Sequence, residues 1–396
     1  MTHLRFVALV CFSAALALRA QDSQGKDSGG QPAATAAQQL DALFSRLHAT
    51  DRFDGVVLVA EAGETVFEAQ FGLADAAAGL PLVPESVFGY ASIGKPIMAT
   101  TVLRLVERGL VELDAPVARY LEEFPYPKVT VRQLLTHTSG LLNHLVMFER
   151  YRDRIARHED GKPLPITNLD VVRFLASAKP ETQSEPGATW DYNNINYIVL
   201  GHLVGTVAGA PIGAAVRREV FEPAGMKTAC ALPEYTLAGK QPPGLAVAYV
   251  QGDNGEWLPA DTAPGWEFVT ELAGTIGDGG IGGSARDLLA FDRALAGGKL
   301  LGPAMLRAAV TPAKLADGSS VRNENWVVTS YGLGWTLAED GRSVWHTGDW
   351  GGYLTWFKRY LDTDRTVIYL MNRRRQDWSW LAELEAIVGR EASLRE

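Results

Sequence analysis

Ser92 and Lys95 stand one helical turn apart in Tyr90-Ala91-Ser92-Ile93-Gly94-Lys95-Pro96. Met98, Val102, Leu105 and Val106 follow at helical spacing, which predicts a helix from Ser92 to near Gly109 with one buried face. Three residues along a helix return to the same side, so the amine lies beside the hydroxyl. Burial disfavours an ammonium and lowers a lysine pKa. A neutral amine can then take the serine proton and make the oxygen a nucleophile. Backbone N–H groups at the helix start favour the negative charge that develops. Ser-x-x-Lys alone is a weak signal: Ser23-Gln24-Gly25-Lys26 repeats it in a polar stretch with no helix behind it. The structural alternative for Ser92 is a helix N-cap with a solvent-facing lysine one turn on.

Two further stretches carry groups suited to the same chemistry. In Trp190-Asp191-Tyr192-Asn193-Asn194, a phenol and an amide two positions apart in a loop can point to one side. Tyr192 can relay a proton, and Asn194 can hold a substrate carbonyl or fix the lysine. The alternative is a core tyrosine and an N-cap asparagine. In His346-Thr347-Gly348-Asp349, at the expected end of a strand, Gly348 lets backbone approach a ligand closely, and an edge N–H can face an oxyanion. His346 can donate to a substrate or tune proton transfer, or be an exposed strand-end histidine.

The elements that must position these groups are legible. Ala36, Leu40, Leu43, Phe44 and Leu47 predict a helix, and 55–60 and 65–72 a hairpin turning at Ala62-Gly63. Thr130 and Gln133 form a capping box for a helix continued by Leu134, Leu135 and His137 and stopped by Gly140. Helical patterns recur around 168–178 and 195–208. Gly279 to Gly283 is a tight crossing before a helix capped by Ser284 with Asp287 at its third position. Residues 331–335, 343–346, 353–357 and 366–371 predict strands joined by short turns, hence antiparallel, before a closing helix around 377–389. The expected layout is α+β: an antiparallel sheet built from both chain ends (36–91 and 276–396), flanked by helices, with a mainly helical insertion at about 92–275.

The chain has 396 residues and a net charge of −9. Arg5 followed by the apolar run Phe6–Leu18 and small residues near Ala17 and Ala20 predicts a secretory signal over 1–20, then a flexible tether over 21–35. The folded unit is expected over 36–396. Cleavage removes Arg5 and Arg19 and no acid, taking the charge from −9 to −11. An acidic chain whose one basic run is Arg373-Arg374-Arg375 argues against nucleic-acid partners. Only Cys230 would remain, so no intrachain disulfide is expected. Nor is stable membrane insertion expected after cleavage. The destination is periplasmic or secreted.

Taken together the motifs resemble the serine β-lactamase and penicillin-recognising hydrolase family on its class C side, which includes D-alanyl-D-alanine carboxypeptidases, D-aminopeptidases and lactamase-like esterases. The resemblance covers roughly 36 to 390, with Ser92-Ile93-Gly94-Lys95, Tyr192-Asn193-Asn194 and His346-Thr347-Gly348 in the family's order. Leu134–Leu141, Glu219–Met226 and Leu370–Asn372 agree with it. It implies an acylated Ser92 with Lys95 as its base, and Tyr192 as relay to the leaving group and base for deacylation. Asn194 would be a substrate and lysine contact, with an oxyanion hole from the Ser92 and Asp349 N–H groups. It further implies a two-step acyl transfer on a small-molecule or peptide substrate, with no metal or organic cofactor. His346 replaces the lysine of true class C β-lactamases, so dedicated β-lactamase activity is not the leading expectation; a non-catalytic sensor or binding protein is the other rival. Trp350 is expected to narrow the cleft. His137 and Ser139 are assigned a structural role. No Gly-x-Ser-x-Gly surrounds Ser92 and no His-Glu-x-x-His occurs, which argues against an α/β-hydrolase and a zinc hydrolase.

Overall fold

A computed structural model describes residues 34–152, 164–322, 330–375, 377–390 and 392–395. The expected signal segment and nearly all of the tether lie outside the described residues. Helix α1 (Ala36–Ala49) begins at a Thr35/Gln38 capping box and buries the five residues its spacing singled out. It leads into β1 (Gly55–Glu61) and β2 (Glu64–Phe71), which turn back through Ala62 and Gly63, both at positive φ.

The C-terminal part of the chain supplies β3 (Ser330–Tyr331), β4 (Thr336–Leu337), β5 (Ser343–Trp350), β6 (Tyr353–Tyr360) and β7 (Arg365–Met371). One antiparallel sheet runs β3-β4-β5-β6-β7-β1-β2, so the two chain ends meet where β1 pairs with β7, Val57 opposite Tyr369. Every residue of β1 is buried: Val56, Leu58 and Ala60 face the larger core, Val57 and Val59 the smaller one. That double burial is why its sequence is a continuous apolar run rather than an alternating one. The smaller core is filled by α1 and by a closing helix, Leu381–Val388, shorter than the expected 377–389.

The opposite face carries the helices that build the site: α2 (Gly94–Glu107), α3 (Val131–Leu135), α4 (Asn194–Ala208) and α5 (Ala285–Ala296). The capping boxes at Thr130/Gln133 and Ser284/Asp287 form as the sequence predicts. The α+β expectation holds, although the 92–275 region also contains short strands at Cys230–Ala231, Tyr249–Gln251 and Trp257–Pro259. No single helix among the described residues is long and apolar enough to cross a membrane.

Four expectations are corrected. Helix α2 buries far more than one face: Gly94 through Leu103 and Leu105 are all buried, because α4 and the helical segments Ile212–Val216 and Arg217–Phe221 pack against it. Ser92 lies just before it, in a 3-10 turn over Ala91–Ile93. Helix α3 stops at Leu135, and His137 takes φ +58 instead of continuing it. Residues 331–335 are not one strand: Tyr331 ends β3, and the chain turns between β3 and β4 with Gly334 at φ +88, where a Cβ would sit 2.5 Å from the Ala99 Cβ. Only glycine fits that packing against α2.

Candidate active site

Ala91 sets the corner that presents Ser92. Its φ of +51 is rare for a residue with a Cβ, and it is locked between short strand Phe88–Gly89 and α2. Strand β5 clamps the corner from the sheet side. A Cβ on Gly348 would fall 2.4 Å from the Tyr90 carbonyl oxygen, so the glycine serves strand-to-turn contact, not the close ligand approach expected of it. The Thr355 hydroxyl donates to the same carbonyl at 2.9 Å, and Tyr90 donates to the Ser284 carbonyl at 2.7 Å.

At this corner Ser92 is half-buried and Lys95 fully buried. The Lys95 Nζ lies 2.9 Å from the Ser92 Oγ and 2.7 Å from the Asp278 carbonyl oxygen. Neither partner carries charge. Burial therefore pulls the Lys95 pKa down to about 7, against a smaller opposing pull from Asp278. The amine also lies 4.8 Å from the Tyr192 ring centroid and 5.8 Å from that of Tyr197. Tyr192 is hydrogen-bonded to Ser92, and burial pushes its hydroxyl pKa above the usual range, so it keeps its proton. The Asp278 loop is held from behind by Asn168, which bonds both the N–H and the carbonyl of Ile276 at 2.9 and 2.7 Å.

Asn193, not Asn194, caps α4 by accepting from the Ile195 N–H at 3.0 Å. Asn194 is thereby left to line a cleft of about 470 Å³ together with Ser92, Asp278 and Asp349. Ser92 is the residue common to this cleft and to the buried Lys95–Tyr192 group. The remaining walls are largely apolar, with Leu232, Leu245, Val269, Leu272 and Trp350 among them. Trp350 packs on Phe268 with ring centroids 5.4 Å apart.

The third motif lies inside β5 and not at the end of a strand. Beyond Trp345 this strand pairs only with β6 among the described residues, and its free edge packs on the Ala91–Ile93 turn. In an antiparallel pair every second N–H points away from the partner, here toward that turn. Asp349 is locked by Arg374, whose Nε and Nη2 donate to its two carboxylate oxygens at 2.6 and 2.8 Å. His346 is neither exposed nor in the cleft. It is buried behind Tyr192, ring centroids 6.2 Å apart. Its Nδ1 donates to the Thr347 carbonyl at 2.6 Å, and its Nε2 accepts from Tyr331 at 3.2 Å. Burial and Lys95 push its pKa down to about 3, so it is a neutral support for the tyrosines rather than a substrate cation. Thr347 is buried beside it.

His137 and Ser139 are not paired: Ser139 donates to the Asn196 Oδ1 at 2.6 Å, and the His137 Nδ1 accepts from the Asn193 N–H at 3.1 Å. The His137 ring lies 4.4 Å from that of Tyr192, so its structural role is to seat the tyrosine. Sequence reasoning missed Asp278 and Tyr331. The first sits beside the Gly279–Gly283 crossing, and the second was absorbed into an expected strand.

Comparison with known proteins shows the family of the chain. The chain is 32% identical over 340 residues to penicillin-binding protein 4* of Bacillus subtilis (strain 168), covering 85% of this chain and 72% of the relative. It is 39% identical over 230 residues to esterase EstB of Burkholderia gladioli, covering 56% of each. The crystal structure of a penicillin binding protein from Bacillus halodurans superposes with a TM-score of 0.72 at 24% identity, covering 87% of this chain and 98% of that one. The Beta-lactamase family model matches residues 40–389, and the chain belongs to that family.

Proposed function

We propose that this chain is an exported serine hydrolase that cleaves an ester or amide of a small molecule or peptide through an acyl-enzyme on Ser92. The observation that carries the reading is the buried Lys95 amine, brought to about 7 and set 2.9 Å from a hydroxyl that opens on the cleft. In the acylation step the Ser92 proton passes to the Lys95 Nζ as the Oγ–carbon bond forms. The bond to the leaving group then breaks, and the leaving group takes a proton through Tyr192. Water attacks the acyl-enzyme in the reverse sense and releases the acid. The N–H groups of Ser92 and Asp349 hold the oxyanion, and Asn194 contacts the substrate; the lysine contact expected of it is not made, since its Oδ1 has no partner and the Lys95 amine bonds Ser92 and Asp278.

Tyr192 acts as a relay and not as a standing phenolate, since its hydroxyl holds its proton more tightly than usual. In deacylation Lys95 is therefore the group that ultimately accepts the water proton. A β-lactamase proper or penicillin-binding sensor has the name of the Bacillus subtilis relative in its favour. Against it, His346 is buried and neutral, and no lysine or arginine other than the exposed Lys240 lines the cleft among the described residues. Export rests on the signal pattern of residues 1–20.

Intact-mass spectrometry after brief exposure to p-nitrophenyl butyrate, beside Ser92→Ala, tests the reading. A transient butyryl adduct on the wild type alone, with turnover, is the expected result. A stable adduct with benzylpenicillin and no ester turnover would move the sensor reading ahead. No adduct with either reagent would remove the hydrolase.

A further inference from the structure

The cleft beside Ser92 has an unbalanced polarity. Asp278 lines it, and the Oδ1 of its carboxylate has no hydrogen-bond partner. Asn194 lines the same cleft from the first turn of α4, and its Oδ1 also lacks a partner. Rotating an amide exchanges its two ends, but an ionised carboxylate only accepts, so Asp278 sets the sign of what can bind. The Lys95 charge acts on the carboxylate, and the Thr275 hydroxyl and the Asp278 and Gly279 N–H groups bond it, but no nearby cation donates to its Oδ1. Lys95 spends its amine on the Ser92 Oγ and the Asp278 main-chain oxygen. Arg374 is committed to Asp349 through two hydrogen bonds. Lys240, the sole lysine or arginine among the described cleft-lining residues, is exposed.

A carboxylate drawn out of water without a counter-charge is costly. Burial accordingly raises the Asp278 pKa, with Lys95 opposing the shift. A cationic donor arriving with the substrate would supply the missing partner through a charge-assisted hydrogen bond. Asp278 lines the cleft together with Ser92, and its own carbonyl accepts from the Lys95 amine, so such a donor would bind in the cleft that holds the nucleophile.

We propose that Asp278 is the counter-charge for an ammonium on the acyl group, so that the cleft selects acyl donors bearing a free amine next to the scissile carbonyl. Asn194 offers a second acceptor to the same group. This specificity rests on Ser92 being the acylated residue. It is opposite in sign to a site built to hold a substrate carboxylate.

The test is the ratio of kcat/KM for alanine p-nitroanilide to that for N-acetylalanine p-nitroanilide, in both enantiomers, for wild type, Asp278→Asn and Asp278→Glu. The ratio cancels effects common to both substrates. Wild type should favour the free amine, and Asp278→Asn should shrink the ratio by about 10- to 100-fold. Asp278→Glu should keep part of it. A wild-type ratio near one, or a ratio untouched in Asp278→Asn, overturns the proposal. So does an equal fall for both substrates with a displaced pH profile, which would assign Asp278 to Lys95 instead.

A second arm needs no catalysis. Calorimetry on Ser92→Ala with alaninamide and N-acetylalaninamide should show tighter binding of the free amine, and that preference should vanish in Ser92→Ala/Asp278→Asn. Equal binding of the two amides overturns the proposal. Absence of any acyl adduct on wild-type Ser92 would defeat the hydrolase reading while this binding difference is still read directly.

Discussion

Arg365 and Lys95 are both sealed from solvent, at 1% and 0% exposure, yet their surroundings differ in kind. The Arg365 guanidinium meets the Glu61 carboxylate at 2.8 Å and donates to the carbonyls of Val388 and Ala392 at 2.8 and 2.6 Å. Burial works against ionisation of Glu61, but hydrogen bonds from Ser393 and Arg365 outweigh it and hold that carboxyl below its usual range. Lys95 has a hydroxyl, a carbonyl and two aromatic rings, and no carboxylate bonded to its amine. One cation is matched group by group and fastens the C-terminal segment to the sheet. The other is left short of counter-charge, and its proton becomes easy to remove. Burial alone does not make a reactive group; burial without matching charge does.

The largest expected effect separates the two in function. Lys95→Met should cut kcat/KM for an activated ester by about 10³-fold or more while the protein stays folded, since a general base is removed and an apolar side chain fills its place. Arg365→Met should do the reverse. It leaves Glu61 without its cation and should cost about 3–5 kcal/mol in chemical denaturation, with little change in kcat for the protein that remains folded. Replacing Glu61 by Leu as well should recover part of that loss.

Stability against pH gives a finer distinction. The folded Lys95 pKa lies below its unfolded value, so between about 7 and 10.5 the unfolded chain binds the extra proton. Lys95 thus penalises folding most below about 7, and the penalty fades toward 10.5. The stability gap between Lys95→Met and wild type should shrink across that window in urea melts. Glu61 has the opposite sign. Its folded pKa is depressed, so its contribution is present above the ordinary glutamate value of 4.5 and is lost as pH falls through the folded pKa. Glu61→Gln should flatten that acid limb. The smallest effect is steric: Trp350→Ala should raise kcat/KM for long-chain p-nitrophenyl esters relative to short ones by a few-fold, and an unchanged acyl preference would remove Trp350 from the specificity wall.

What the sequence disclosed follows the range of the forces involved. Helix α1, the β1–β2 hairpin and two capping boxes were legible because periodicity and caps are local. The Ser92–Lys95 pairing was legible for the same reason, one helical turn being a local distance. The tertiary environment was not. Nothing near His346 in the chain says that Tyr331 and Tyr192 enclose it, so a residue expected at the substrate is a neutral prop behind the site. Gly348 shows the same limit: its need for space was readable, but the neighbour that takes the space is Tyr90, far away in sequence. Asp278 drew no attention because its role depends on a lysine more than a hundred residues earlier.

The most direct test of the central claim is the rate of Ser92 acylation by p-nitrophenyl butyrate from pH 5 to 9, measured in the pre-steady state with the adduct located by peptide mass. Deprotonated Lys95 is the base, so the rate should rise with pH through a single titration near 7, and the titration should disappear in Lys95→Met. A wild-type rate that is flat across this range, or that falls as pH rises, would contradict the account, as would an adduct on any residue other than Ser92.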